Sequence, residues 1–114
     1  MREIFANILA VEREGLKVSA SFMDTNKLTA LNIKLVKQIL VKLITRRGTQ
    51  LELDMSGIRF IDSSGFDTLN LIHQLGKKYN STFVLTGVEM EVLDMMDLLR
   101  KYHIFHIHQV TPAC

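Results

Sequence analysis

The alternation of apolar and polar residues sets out most of the chain. Residues 3 to 12 and 15 to 22 are rich in strand-forming side chains and flank Glu14-Gly15; Leu16, Val18 and Ala20 alternate with Lys17, Ser19 and Ser21 at the strand period. The pattern predicts an opening β-hairpin. From Asp24 or Thr25, either of which can cap a helix, Leu28, Leu31, Leu35, Ile39 and Leu43 recur three or four residues apart, with Val36, Leu40 and Ile44 widening the stripe. This is the signature of a long amphipathic helix, expected to stop near Arg46-Arg47, where Gly48 can take a left-handed C-terminal conformation.

Leu51 to Met55 read as a buried strand, and Ser56-Gly57 to Asp62 as a loop that returns Phe60 and Ile61 to the core. Ser64 and Asp67 match capping-box spacing at the start of a second helix running to about Tyr79, with Leu69, Ile72 and Leu75 as its buried stripe. Thr82 to Thr86 form another short strand that Gly87 ends. Glu89 to Lys101 form a third helix with Val92, Leu93, Met96 and Leu99 facing inward, and 104–108 a final strand. Met90, Met95 and Met96 on that helix are expected mainly to fill the core.

The order is ββαβαβαβ, with helices long enough to serve as crossovers between parallel strands. It predicts an α/β domain with a mixed sheet, an N-terminal hairpin followed by βαβαβ, and helices packed against the sheet. No internal repeat, linker or low-complexity run interrupts it. A length of 114 residues suits one domain spanning 1–114, with its core over about 3–108.

Composition narrows the function. With 47% hydrophobic and 23% charged residues the chain is not of the disordered type. A net charge of +2, with scattered Lys and Arg, argues against a nucleic-acid partner. Arg46-Arg47 and Lys77-Lys78 sit where helices should end and complement the helix dipole. The single cysteine, Cys114, rules out an intramolecular disulfide or a cysteine-based zinc site, which fits a reducing compartment. No signal-peptide pattern and no apolar run near the ~20 residues needed to cross a bilayer are present, so a cytoplasmic protein without membrane insertion is expected.

The candidate chemistry is concentrated in Asp62-Ser63-Ser64-Gly65, where a hydroxyl stands at a helix N-terminus. Unpaired backbone N–H groups and the positive dipole end make such a position favourable for a phosphate. Taken alone, the four residues are better read as a plain loop and N-cap, because Ser and Asp are enriched at helix starts for structural reasons. No glycine-rich phosphate loop or dinucleotide fingerprint is present, so no cofactor is expected. His103, His106 and His108 are too few for a closed metal site and fit sheet-edge positions better, so no metal is expected either. Nothing supplies a serine-hydrolase triad or nucleophile elbow.

The run Leu51-Glu52-Leu53-Asp54-Met55-Ser56-Gly57-Ile58-Arg59-Phe60-Ile61-Asp62-Ser63-Ser64-Gly65 resembles the central motif of the STAS domain, the fold of bacterial anti-sigma factor antagonists. Downstream, Phe83-Val84-Leu85-Thr86-Gly87-Val88 followed by Met90-Glu91-Val92 is similar to the family's next strand and helix start, and the order of elements agrees over roughly residues 5 to 108. In the family the serine after the aspartate, here Ser63, is phosphorylated by a partner that is both an anti-sigma factor and a serine kinase, and a phosphatase resets it. The resemblance implies a non-enzymatic module that binds the kinase while Ser63 is unmodified. Its partner face would run over Asp62, Ser63, Ser64, Gly65, Phe66, Asp67 and Asn70, with Asp62 orienting the Ser63 hydroxyl or touching the kinase, and Ser64 the structural cap.

Three departures from the family pattern bear on that reading. Asp67 stands where a small residue or glycine is usual, and its carboxylate opposes a phosphate on Ser63. Asn70 and His73 lie near the expected docking face. Members often carry another helix after the last strand, whereas Gln109 to Cys114 follow it here, which leaves a surface for association, including with a second copy. The rival reading is a constitutive STAS-type regulatory subunit of an ABC lipid-transport complex, contacting its ATPase. A small hydrolase using Ser63 is a third, disfavoured by the absence of a base beside it.

Overall fold

The computed structural model describes residues 2–98 and, as backbone, 106–108. Among these residues, eight strands and three helices follow in the order β1 (Arg2–Phe5), β2 (Leu9–Glu14), β3 (Lys17–Phe22), β4 (Lys27–Leu28), α1 (Ile33–Ile44), β5 (Gln50–Asp54), β6 (Phe60–Ile61), α2 (Ser63–Lys78), β7 (Thr82–Thr86), α3 (Met90–Leu98) and β8 (His106–His108). Six strands form one mixed sheet in the order β1-β2-β3-β5-β7-β8. Its first three strands are antiparallel; β3, β5, β7 and β8 are parallel, as the intervening helices require.

Alternation along the central strands sends Val18, Ala20, Leu51, Leu53, Phe83 and Leu85 to one face, where they are buried against Val36, Leu40, Leu43 and Ile44 of α1 and Phe66, Leu69 and Ile72 of α2. The third helix adds Val92 and Met96 to the same core, with Leu93 and Met95 packed at its margin, while Met90 is exposed. Leu99 and the remainder of the helix expected to reach Lys101 lie outside the described residues.

The opening hairpin is one strand richer than expected. Ala6 and Asn7 both adopt left-handed backbone angles, with φ of 52° and 53°, and turn the chain between Phe5 and Leu9, so the segment read as one strand becomes two antiparallel ones. The first helix is shorter than its apolar spacing suggested, and neither Asp24 nor Thr25 caps it. Between them and Ile33, Thr25 and Asn32 side chains take up the backbone: Asn32 Oδ1 accepts from Thr29 N at 3.0 Å and Asn32 Nδ2 donates to Lys27 O at 2.9 Å. Such local side-chain bonds compete with helix formation. Lys27 and Leu28 instead make a short parallel ladder with Phe60 and Ile61. Leu28 is therefore buried on a strand, whereas Leu31 is 97% and Leu35 47% exposed, so neither belongs to the core stripe. The loop after β5 returns Ile58 and Ile61 to the core, both fully buried, while Phe60 stays 45% exposed.

Candidate functional site

Met55 N donates to Thr86 O at 2.7 Å and holds the exit of β5 to the exit of β7. The chain then turns through Gly57, whose φ of 86° favours glycine and whose N–H donates to Glu89 Oε2 at 2.8 Å. Arg59 Nη1 donates to Glu91 Oε2 at 2.6 Å, joining this loop to the first turn of α3. A hydrogen bond from its own backbone N–H, and then the Arg59 guanidinium, hold the Glu91 carboxyl below the usual carboxylate range; the hydrogen bond to Glu91 and its charge raise Arg59 in turn.

Asp62 is the N-cap of α2, in place of the expected Ser64–Asp67 capping box. Its extended backbone aims Oδ1 at Gly65 N (2.9 Å), while Oδ2 accepts from Ala30 N at 3.0 Å and its own N–H donates to Leu28 O at 3.1 Å. One carboxylate thus satisfies an orphan donor of α2 and ties that helix to the segment leading into α1. It is engaged with backbone, and the Ser63 hydroxyl is not among its partners.

Gly65 lies beneath this junction. A Cβ there would come within 2.5 Å of Ile61 Cγ2 and 2.8 Å of Leu28 O, so glycine is what lets the helix pack directly on β4. Phe66 is buried in the core with no exposed surface, which leaves it none to offer a partner in this conformation.

Ser63 is the first helical residue and is exposed; among the described residues no hydrogen bond engages its hydroxyl. Ser64 beside it is half-buried and makes no cap bond. Asp67 is exposed one turn on from Ser63, and half-buried Asn70 follows at the next turn, so Ser63, Asp67 and Asn70 form one stripe along α2. Buried Gly65, Phe66, Thr68, Leu69 and Ile72 occupy the inner side of the same helix. His73 is half-buried. His103 and the side chains of His106 and His108 lie outside the described residues.

Two exposed apolar residues at this end of the molecule were not foreseen as surface. Leu31 follows the Ala30 N–H that Asp62 holds, and Phe60 precedes Asp62 by two residues. A shallow groove of about 750 Å³ runs beside Leu31 between Asn26-Lys27 and Ser56-Gly57. The one available signal was strand parity: Lys27 and Phe60 share the outward side of the short ladder whose inward side holds Leu28 and Ile61.

Thirteen chains among solved structures match this architecture, and three of them illustrate it. A STAS domain anti-sigma factor antagonist protein from Planctomyces limnophilus superposes with a TM-score of 0.80 at 14% identity, covering 90% of this chain and 91% of the other. A putative anti-sigma factor antagonist from Thermotoga maritima gives 0.71 at 20% identity, covering 89% and 85%. The murine solute carrier 26 family member A9, an anion transporter in the inward-facing state, gives 0.68 at 16% identity over 93% of this chain and 19% of the transporter. No curated protein matches the sequence. The STAS domain model matches residues 10–112, nearly the whole of the described sheet and all three helices, and the chain therefore belongs to the STAS domain family.

Proposed function

We propose that this protein is a non-enzymatic regulatory module, an anti-sigma factor antagonist or close relative, whose binding to an anti-sigma factor with serine kinase activity is switched by phosphorylation of Ser63. The observation that carries this reading is the state of Ser63: an exposed, unengaged hydroxyl at the first position of a helix whose N-terminus is pinned by Asp62. A phosphate there adds a charge of about −1.5 to −2 and three acceptor oxygens at the positive end of the helix dipole. The fold has no need to change. The surface does: a dianion within the docking face imposes desolvation and like-charge repulsion on any partner bound there, and about 1.4 kcal/mol of coupling shifts binding tenfold. A phosphatase completes the cycle, and the cytoplasm, where such partners act, is the proposed compartment.

A second reading draws support from Asp67, one turn from Ser63, where an i, i+4 like-charge pair would oppose a phosphate. In that reading the stripe Ser63, Asp67 and Asn70 contacts an ATPase of a transport complex permanently, without modification. Affinity purification of the protein from its native cells separates the two, using the wild type beside Ser63→Ala and Ser63→Asp. The switch predicts a serine kinase retained by Ser63→Ala and lost with Ser63→Asp; an ATPase recovered equally with all three contradicts it.

A further inference from the structure

We infer that the outer face of α1, with the Leu31 loop before it, is a docking surface for an anionic lipid bilayer. Between Asp24 and Glu52 the sequence holds six cations, Lys27, Lys34, Lys37, Lys42, Arg46 and Arg47, and no acid. All six are exposed, and among the described residues none makes an ion pair. Spacing along the chain hides what the fold gathers: the stripe Val36, Leu40, Leu43 and Ile44 faces the core, so Lys34, Gln38 and Lys42 project together from the opposite side. Stability does not explain the pattern. Lys42 in the last turn favours the helix dipole, but Lys34 sits in the first turn, where the dipole opposes it and no acidic side chain compensates.

Two leucines stand among these cations. Leu31 is 97% exposed and Leu35 47% exposed. Apolar side chains exposed among lysines need no deep socket in a partner; they suit the boundary between lipid headgroups and acyl chains, with lysine stems reaching alongside. A protein hot spot would instead concentrate aromatic and arginine anchors, and single-stranded nucleic acid would ask for stacking rings. Residues 25–51 contain no aromatic side chain, and four of the six cations are lysines. The far side of the sheet is acidic on balance: Glu12, Glu52 and Asp54, against the single cation Arg2, line a cup of about 380 Å³ with Ser19 and Ser21. A negatively charged membrane would attract one side of the molecule and repel the other, which orients it. Binding is peripheral, since no described helix is long and apolar enough to cross a membrane.

This surface stands apart from the Ser63 reading, and either can fail alone. The test is flotation of the full chain with vesicles of phosphatidylcholine alone and of an equimolar mixture with phosphatidylglycerol, at low salt and at about 0.15 M. The expected result is binding to the anionic vesicles only, weakened by salt. The pair Lys34→Glu and Lys42→Glu should lower it by at least roughly tenfold and Leu31→Ser several-fold. Lys17→Glu on β3, away from α1, should leave it nearly unchanged. Circular dichroism checks that each variant is folded, and Lys→Gln versions replace any that is not. No binding to anionic vesicles at low salt, equal binding to neutral ones, or a loss in Lys17→Glu equal to that in the Lys34→Glu, Lys42→Glu pair overturns the inference. So does binding to polyglutamate with none to anionic vesicles, which would assign the surface to an acidic protein.

Discussion

Replacing Gly65 by alanine tests how the start of α2 is built, because two effects of opposite sign meet at one atom. In an exposed helix the change would stabilise by about 1 kcal/mol through propensity. Here the new Cβ would lie 2.5 Å from Ile61 Cγ2, 2.8 Å from Leu28 O and 3.3 Å from Leu28 Cβ. All three distances are shorter than ordinary van der Waals contact, two of them so short that something must shift, and one of those two partners is backbone, which yields less readily than the end of a side chain. Overpacking of this kind costs about 1–3 kcal/mol. Moving Leu28 O also strains the bond it accepts from Asp62 N, and with it the Asp62–Ala30 tether, each worth about 1 kcal/mol. The net expectation is a destabilisation of about 2 kcal/mol, or roughly 8 °C in Tm for a domain of this size. Urea and thermal unfolding of Gly65→Ala would measure it beside Ser64→Ala, a neighbour without a cap bond that should stay within about 0.5 kcal/mol. A Gly65→Ala protein as stable as its parent, or more stable, would refute the close packing of α2 on β4.

Three further expectations follow from neighbouring contacts. Asp62→Ala removes the cap of α2 and its tie to Ala30 together and should cost about 2 kcal/mol in urea unfolding. Ile58→Ala should cost about 2–5 kcal/mol and Phe60→Ala under about 1 kcal/mol; the reverse order would mean the loop places Phe60 inside. For the exposed Arg59–Glu91 pair the sign is fixed by the lowered Glu91 value: its contribution is present above the usual carboxylate range and fades as pH falls through the folded value. The stability difference between wild type and Arg59→Ala should thus be small at pH 7 and smaller still at about pH 3, and a difference that grows in acid would contradict the pairing.

Much of this architecture is written in hydrophobic spacing. The buried runs of β5 and β7, and the stripes of α2 and α3, are legible because burial and period coincide there. The start of α1 is not, since Leu28 and Leu31 continue its apolar spacing while Thr25 and Asn32 divert the backbone through bonds that only the folded loop reveals. The break at Ala6-Asn7 carries no glycine or proline to announce it. At the site, Asp62-Ser63-Ser64 offers three residues that can each cap a helix. The choice is made by the reach of the Asp62 carboxylate to both Gly65 and Ala30, a long-range contact that local sequence does not encode. What was legible is the position of Ser63; what the fold adds is that its aspartate neighbour serves the backbone, which leaves the serine free.

The central claim is that Ser63 carries the regulatory phosphate. Intact-mass and phosphopeptide analysis of the protein from its native cells, beside a Ser63→Ala control, tests it most directly. The account predicts a phosphorylated fraction at Ser63 that the control lacks; a Ser63 that stays unmodified across growth conditions would contradict it and favour a constitutive subunit.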